Sequence, residues 1–342
     1  MKKSLLALAV LSAFAGAASA QSSVTLSGRV DAGIIRTGAA TGGSQWTMGG
    51  SQSGYNALTF SGREDLGGGM NAFFTLNHRF RINTGEVNNP GNVVGGNQTY
   101  FYRNVFVGLG GGFGDVRLGR MLMPLQEWNG AFDAFDTGYV ASTHTGGINA
   151  TVRATNTIYY RSPSVGGFFV HAAIAAGENQ INGECGCGLP PTPNTTAERP
   201  TGFALGYASG PVRAVVAYDR NATDQKTTGL YAGFNAGFAN FFGQYERGDK
   251  QRSASFGGIE KVGRWSLSAK VPLGAVTFKA GYTRWSDEDV KKLGVGVQYD
   301  LSKRTNLYSD IGKVSGDGNL KFGAVTPAAK KMTFDVGVTH AF

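Results

Sequence analysis

Few residues in this chain could do covalent or metal chemistry. It holds 4 His and 2 Cys among 342 residues. Cys185 and Cys187 form a C-x-C pair in a Gly- and Pro-rich stretch with no histidine near enough in sequence to complete a metal set. The pair reads as an intraloop disulfide without chemistry, although so tight a ring is awkward for bridged Cα atoms that usually lie about 4.4–6.8 Å apart. No Gly-x-Ser-x-Gly elbow and no His-Glu-x-x-His helix occurs. Gly67-Gly-Gly-Met-Asn-Ala72 fits a loose dinucleotide pattern, but a strand and not a helix follows it, so it reads as a turn. His144 could meet Asp133 or Asp136 only through folding, and it reads as a polar loop histidine. What remains is fixed charge, among it the cations Arg29, Arg79, Arg117 and Arg153 and the anions Glu127, Asp133 and Asp136. Fixed charge acts on solutes through its field, with no cofactor and no covalent step.

Such charges need a scaffold that holds them apart, and composition narrows the choice. Glycine accounts for 53 residues, charged residues for 16% and aromatics for 11%, with only 10 prolines. An average soluble domain carries about 25% charge and about 7% glycine. The glycines have no triplet period, which excludes collagen. The aromatic content excludes a disordered chain. Beyond the N-terminus, no run approaches the ~18 apolar residues of a spanning helix. A glycine- and aromatic-rich β protein is left.

From Val24 onward, apolar residues recur at every second position and stop at turn chemistry. Val24, Leu26, Val30, Ala32 and Ile34 share one parity; Thr25, Ser27, Arg29 and Asp31 share the other. Further runs lie near 56–63, 70–80, 101–109, 114–120, 152–161, 168–176 and 201–209. They continue near 211–219, 229–236, 238–247, 264–272, 275–285, 291–300, 305–313 and 331–342, predicting 16 strands in all. Connections after even-numbered strands are short, at 64–69, 110–113, 162–167, 210, 237, 273–274 and 301–304. Those after most odd-numbered strands are long: 37–55, 81–100, 121–151, 177–200, 248–263 and 314–330. This alternation predicts an all-β, antiparallel, up-and-down barrel with its tight turns at one end.

Charge parity predicts which face meets lipid. Lys or Arg on the lipid face at the midplane costs about 2–4 kcal/mol. In the first, sixth, twelfth and last strands the charges lie opposite the apolar stripe, as with Arg153 and Arg161 against Val152, Ala154 and Ile158. Arg103 and Arg284 share the apolar parity only near the loop-side ends, where the cost falls to about 0–1 kcal/mol. His78 and His340 share the lipid-facing parity. Tyr159, Tyr160, Tyr282, Trp285, Tyr299 and Tyr308 are expected in aromatic girdles at the strand ends. Gly28, Gly62, Gly119, Gly294 and Gly296 are expected to be inward, close-packed wall glycines that ease curvature.

Residues 1–20 read as a secretory signal. Lys2 and Lys3 precede the apolar run 5–18, and Ala18-Ser19-Ala20 offers a cleavage site. The mature domain is then 21–342, and losing the two lysines lowers the formal charge of +9 by two.

Several segments resemble the trimeric general porins of Gram-negative outer membranes. Phe60-Ser-Gly-Arg-Glu-Asp-Leu-Gly-Gly-Gly-Met-Asn-Ala-Phe73 resembles their second hairpin, and 107–120 resembles the hairpin leading into their constriction loop. The run 299–308 and the ending Gly337-Val-Thr-His-Ala-Phe342 are similar to the β-proteobacterial Neisseria/Burkholderia-type branch. The resemblance implies a 16-stranded transmembrane barrel in the outer membrane, a homotrimer, and passage of small hydrophilic solutes and ions. It implies that 121–151 is a third loop folded into the barrel, and that Phe342 is the aromatic signal read by the barrel-assembly machinery. Arg153 matches the family's constriction arginine, with Arg29, Arg79 and Arg117 on the same basic wall. Ala57 stands where some anion-preferring members carry another base. The basic wall and positive net charge predict a weak anion preference. An adhesin or other structural barrel and a barrel enzyme are the alternatives. A sugar channel would need an aromatic track that Trp46, Trp128 and Trp285 are too scattered to form. Nucleic acid is not expected as a partner, because the positive charges are dispersed over the strands.

Overall fold

Alternating parity closes this chain into a cylinder, because each strand can satisfy its backbone only against both neighbours while one face stays apolar. The computed structural model describes residues 23–38, 44–50, 56–87, 93–94, 97–98, 100–101, 103–138, 140–143, 148, 153–176, 198–222, 224–251, 259–287, 289–316 and 332–342. The expected signal segment, the Cys185–Cys187 pair and His144 lie outside the described residues.

The elements run β1 (Ser23–Gly38), β2 (Ser44–Gly49), β3 (Ala57–Gly67), β4 (Met70–Arg79), β5 (Val93–Val94), β6 (Asn97–Gln98), β7 (Val105–Gly111) and β8 (Gly114–Leu122). Helix α1 (Pro124–Ala131) precedes β9 (Arg153–Arg161), β10 (Phe168–Ala175), β11 (Thr201–Ser209), β12 (Val212–Arg220) and β13 (Lys226–Asn235). β14 (Asn240–Gln251), β15 (Ile259–Leu273), β16 (Val276–Trp285), β17 (Val290–Asp300), β18 (Thr305–Gly316) and β19 (Met332–Ala341) complete the wall. Each wall strand pairs antiparallel with the next, and β19 returns to β1 through the register Arg29↔Ala341 to Arg36↔Phe334. The result is a closed 16-stranded barrel.

The first long connection differs from expectation. Residues 44–49 form β2, which pairs with Gly33–Gly38 of β1, while β3 pairs with Ser23–Arg29. β2 and β3 are thus two pieces of one stave, interrupted between them; the short run Ser-Gln-Trp-Thr-Met-Gly carries too brief an alternation to be read as a strand. The tight turns fall at the expected end. Glycines with positive φ sit there, among them Gly210 (φ 55°) and Gly274 (φ 64°), a conformation that other residues adopt only at a cost.

Parity sorts the two faces as expected. Val24, Leu26, Leu118, Ile158, Leu230, Leu267 and Leu293 are exposed on the outside, and Asp31, Arg79, Glu246 and Arg264 are buried on the inside. β9 departs from the expected alternation: a register shift beside Asn156 (φ 50°) pairs Ala154 with Met121, and Ala154 is buried with Met121 and Tyr159 instead of sharing the exposed side of Ile158. The girdle expectation needs correcting. Tyr159, Trp285 and Tyr308 are buried on the inner face, whereas Tyr299 is exposed with Phe113, Phe168, Phe238 and Phe241. Tyr308 is inward by parity, opposite exposed Leu307 and Ile311, and there its hydroxyl donates to Asp31 Oδ1 (2.6 Å). Gly28 and Gly62 also differ, since both share the outward parity. A Cβ on Gly28 would meet the Phe342 ring at 2.6 Å, and one on Gly62 would meet the Phe74 ring. The backbone of Phe342 exchanges hydrogen bonds with Gly28, so the last residue seals the closing seam.

Candidate functional site

The third long connection enters the barrel and docks on one side of it. Pro124 opens α1 at a first-turn position, where its missing N–H costs nothing, and Glu127 lies in the first turn near the positive end of the helix. α1 contacts β10, β11, β12 and β13. The wall is apolar on its inner side there: Leu125 and Phe132 pack with Ala204, Val215, Ala217 and Tyr231. Polar anchors frame this patch. The Leu125 N–H donates to Asp219 Oδ1 (3.3 Å), and Gln244 Nε2 donates to the carbonyls of Asn129 (3.1 Å) and Phe132 (2.7 Å). Asn129 donates to Glu246, which also accepts from Tyr231 (2.7 Å) and pairs with Arg264 (2.9 Å). Further along, the Ala134 N–H donates to Ser268 Oγ (3.2 Å), and Thr283 Oγ1 donates to the Thr143 carbonyl (3.2 Å). With Met123 packed on Tyr159 of β9, the described loop residues therefore cover the wall from β9 to β18.

The three loop acids have different surroundings. Glu127 accepts from Tyr159 (2.8 Å), pairs with Arg161, and lies 3.6 Å from His171 Nδ1. Burial alone would raise its carboxyl, but the hydrogen bond from His171 and the charge of Arg161 outweigh that and lower its pKa to about 2. Asp133 is buried and spends both oxygens within the loop. It accepts from the Thr137 N–H (2.9 Å), Ser142 Oγ (2.6 Å), the Thr143 N–H (3.1 Å) and Thr143 Oγ1 (2.8 Å). These bonds hold a tight reversal in which Asp136 and Thr137 both take left-handed backbone (φ 51° and 63°). That reversal turns Asp136 outward, where Lys270 Nζ donates to it at 2.7 Å.

The wall arginines lie on the other side. Arg29 on β1 and Arg79 on β4 flank Ala57 of β3 in one cross-strand row, so two cations bracket the position whose side chain is only a methyl. Strand spacing places their backbones about 10 Å apart. Arg153 begins β9 opposite Leu122, and its Nε donates to Asn104 Oδ1 (3.2 Å). Arg117 lies nearer the tight turns, where it grips Asp115 through Nε (2.6 Å) and Nη2 (3.1 Å). Its guanidinium also lies over the rings of Phe106 (5.1 Å) and Phe73 (5.7 Å). The structure thus brings Arg29 and Arg79 into one row and separates Arg117, which is partly neutralised.

Sequence reasoning missed several participants. Arg63 shares Phe73 with Arg117, at 5.5 Å from the ring, and its parity with Thr59 and Ser61 was the available signal. Lys279 and Lys292 are buried on the inner face beside Asp310 and Asp335. His171, whose face the periodicity left open, is inside against Trp128 and Tyr159. His78 is outward and stacks on Tyr100, 3.8 Å between ring centres, and His340 bonds Thr305 (2.8 Å). Glu127, Tyr159 and His171 are the groups that meet, and they do so to anchor a helix.

Known proteins share both sequence and fold. Residues 7–319 match a family model described as Gram-negative porin. Outer membrane porin protein 32 of Delftia acidovorans is 32% identical over the full length of both chains. The major outer membrane protein P.IB of Neisseria gonorrhoeae is 31% identical over 54% of this chain and 51% of its own. Among solved structures, an anion-selective porin from Comamonas acidovorans superposes with a TM-score of 0.78 at 28% identity, covering 94% of this chain and 100% of that one.

Proposed function

This chain belongs to the Gram-negative porin family, and from that premise we propose that its channel favours anions through the arginine wall left open by the inward loop. It is an outer-membrane porin, a passive diffusion channel and not an enzyme. Solutes pass down their gradients; the protein supplies a polar lumen, a waist and a field.

One asymmetry carries the anion reading. The described loop residues cover β9 to β18, and each loop acid is matched: Glu127 by Arg161, Asp133 by four hydrogen bonds, Asp136 by Lys270. Arg29 and Arg79 lie on β1 and β4, which the described loop residues do not cover, and Arg153 begins β9 at the end away from the Glu127 contact. The inner acids Asp31, Asp310 and Asp335 are buried, beside Tyr308, Lys279 and Lys292. The field across the waist therefore has its positive side on this wall, opposite the docked loop, and a low-dielectric wall focuses it. In this reading Arg153 and the Arg29–Arg79 row carry the selectivity, with Arg117 in a lesser role nearer the turns.

Planar-bilayer reversal potentials in a salt gradient test the proposal. A potential of the sign set by anion flow is expected; a cation-selective potential overturns it. The N-terminal segment acts as the export signal, and Phe342 serves in assembly, for which its place on the closing seam beside Gly28 is the supporting geometry. A homotrimer is the assembly in this reading, supported by the sequence resemblance to trimeric porins. Native mass spectrometry of the extracted protein would give three chain masses, and a monomer would refute it.

A further inference from the structure

Between the waist and the tight turns, the inner wall carries two rows of side chains with opposite hydrogen-bonding character. The first runs in register from Arg63 of β3 through Phe73 of β4 and Gly108 of β7 to Arg117 of β8. Gly108 leaves room for the Phe73 ring, which a Cβ there would strike at 2.5 Å. The ring holds both arginines, whose guanidinium carbons lie 5.5 Å and 5.7 Å from its centre. Asp115 already matches Arg117. Arg63 makes no ion pair and no side-chain hydrogen bond among the described residues, so the ring positions it while its N–H fork stays open.

The second row lies one two-residue step nearer the turns, about 7 Å away along the strands. It runs from Asn71 through Gly110 to Asp115 and presents acceptors. Asn71 Oδ1 is buried without a hydrogen-bond partner, a costly state for a polar atom. Gly110 has no side chain to fill the space between Asn71 and Asp115. With Thr75, these side chains line a cavity of about 420 Å³, within the range of about 300–1,000 Å³ found for small-ligand sites. A second cavity of about 210 Å³ shares Arg63, Phe73 and Thr75 with it and is lined by the hydroxyl residues Ser23, Thr25 and Ser61.

We propose that this cavity is a solute-binding station, distinct from the waist, for polyhydroxylated carboxylates of the sugar-acid class. The carboxylate takes the open fork of Arg63, whose planar geometry fits two parallel hydrogen bonds. Hydroxyls further along the solute donate to Asn71 Oδ1 and Asp115 in the second row. A halide fills only the first of these roles, and an unsubstituted fatty acid leaves Asn71 unsatisfied. Residence at the station makes the flux of such a solute saturable and interrupts the small-ion current while it lasts. The station rests on the passive-channel reading and does not depend on the sign of the waist's ion preference.

Chloride currents of the full chain in planar bilayers test it, with gluconate as the probe and hexanoate as its unhydroxylated counterpart of equal charge and chain length. Gluconate is expected to interrupt the current saturably, and at lower concentration than hexanoate. Arg63→Gln should raise its half-blocking concentration about tenfold or more, and Arg63→Lys, which keeps the charge but not the fork, by less. Asn71→Leu should raise it for gluconate and leave hexanoate unchanged, a split that a general loss of structure would not produce. Parental melting temperatures in these variants show that the barrel is intact. Equal block by the two anions, or undiminished gluconate block in Arg63→Gln, overturns the proposal. Loss of gluconate block in Arg153→Ala but not in Arg63→Gln would put the solute at the waist and overturn it too. A cation-selective reversal potential with gluconate block intact would refute the anion reading of the waist and leave this station standing.

Discussion

Gly294 on β17 lies against the backbone of Ala141 in the inward loop, so closely that a Cβ at 294 would collide with the Ala141 carbonyl oxygen. Gly281 and Gly312 flank it in register on β16 and β18. A Cβ on Gly281 would meet Thr143 Cγ2 at 2.5 Å, and one on Gly312 would strike the Val140 carbonyl. Three glycines across three strands thus form a trough, and the loop lies in it. They serve close approach of backbone to backbone and not merely wall curvature.

Filling the trough should release the loop. Gly294→Val or Gly312→Val is expected to lower stability by about 1–3 kcal/mol, as overpacking does. It should also raise or destabilise single-channel conductance, read in planar bilayers. Steady parental conductance in both variants would show that residues 140–143 do not bound the open path.

Removing one waist cation should weaken anion preference. A unit charge about 5 Å from a permeant ion in water contributes about 0.8 kcal/mol, or about fourfold in relative permeability. Arg153→Ala, and separately Arg79→Ala, should shift the reversal potential towards cations by no more than that. Arg117→Ala should shift it less, because Asp115 already matches that charge. An unchanged potential in Arg153→Ala would remove that residue from the selectivity site.

The Glu127 contact predicts acid sensitivity with a definite sign. Its pKa in the folded chain is about 2, below the ordinary glutamate value of 4.5, so its contribution is complete above pH 4.5. That contribution is lost as the pH falls from 4.5 through 2. Conductance noise should accordingly stay low down to about pH 4 and rise below it. Glu127→Gln should be noisy at neutral pH and lack this acid transition; a variant as quiet as the parent would contradict the anchoring role.

Asp133 provides a contrasting test. Asp133→Asn keeps the shape but weakens four hydrogen bonds that hold the reversal at Asp136 and Thr137. Charge-assisted bonds contribute about 1.5–3 kcal/mol each when intact. The melting temperature should fall and gating noise rise, with little change in reversal potential. A large shift towards anions with unchanged stability would instead place this carboxylate in the ion path.

The barrel itself was legible because strand parity is a local property. Ile158 and Tyr159 must face opposite sides of β9 whatever the rest of the chain does. The same logic placed Arg29, Arg79 and Arg117 inside and the tight turns at one end. It failed where a local pattern was too short, as at β2, and where a bulge shifts the alternation, as beside Asn156 on β9; Tyr308 is inside by the parity of Leu307 and Ile311, which its residue type alone concealed.

The sequence by itself thus determined the strands, their faces, the antiparallel order and the family. Only the tertiary structure decided which charges oppose which. Glu127 meets Arg161 across 34 positions and Asp136 meets Lys270 across 134. Neither pairing has a period or spacing that could reveal it, because it depends on where an irregular loop comes to rest. That resting place is set by an apolar patch on β10 to β13 and a glycine trough on β16 to β18, features that exist only once the wall has closed. Composition and parity make a pore wall; the docked loop determines which of its charges face one another.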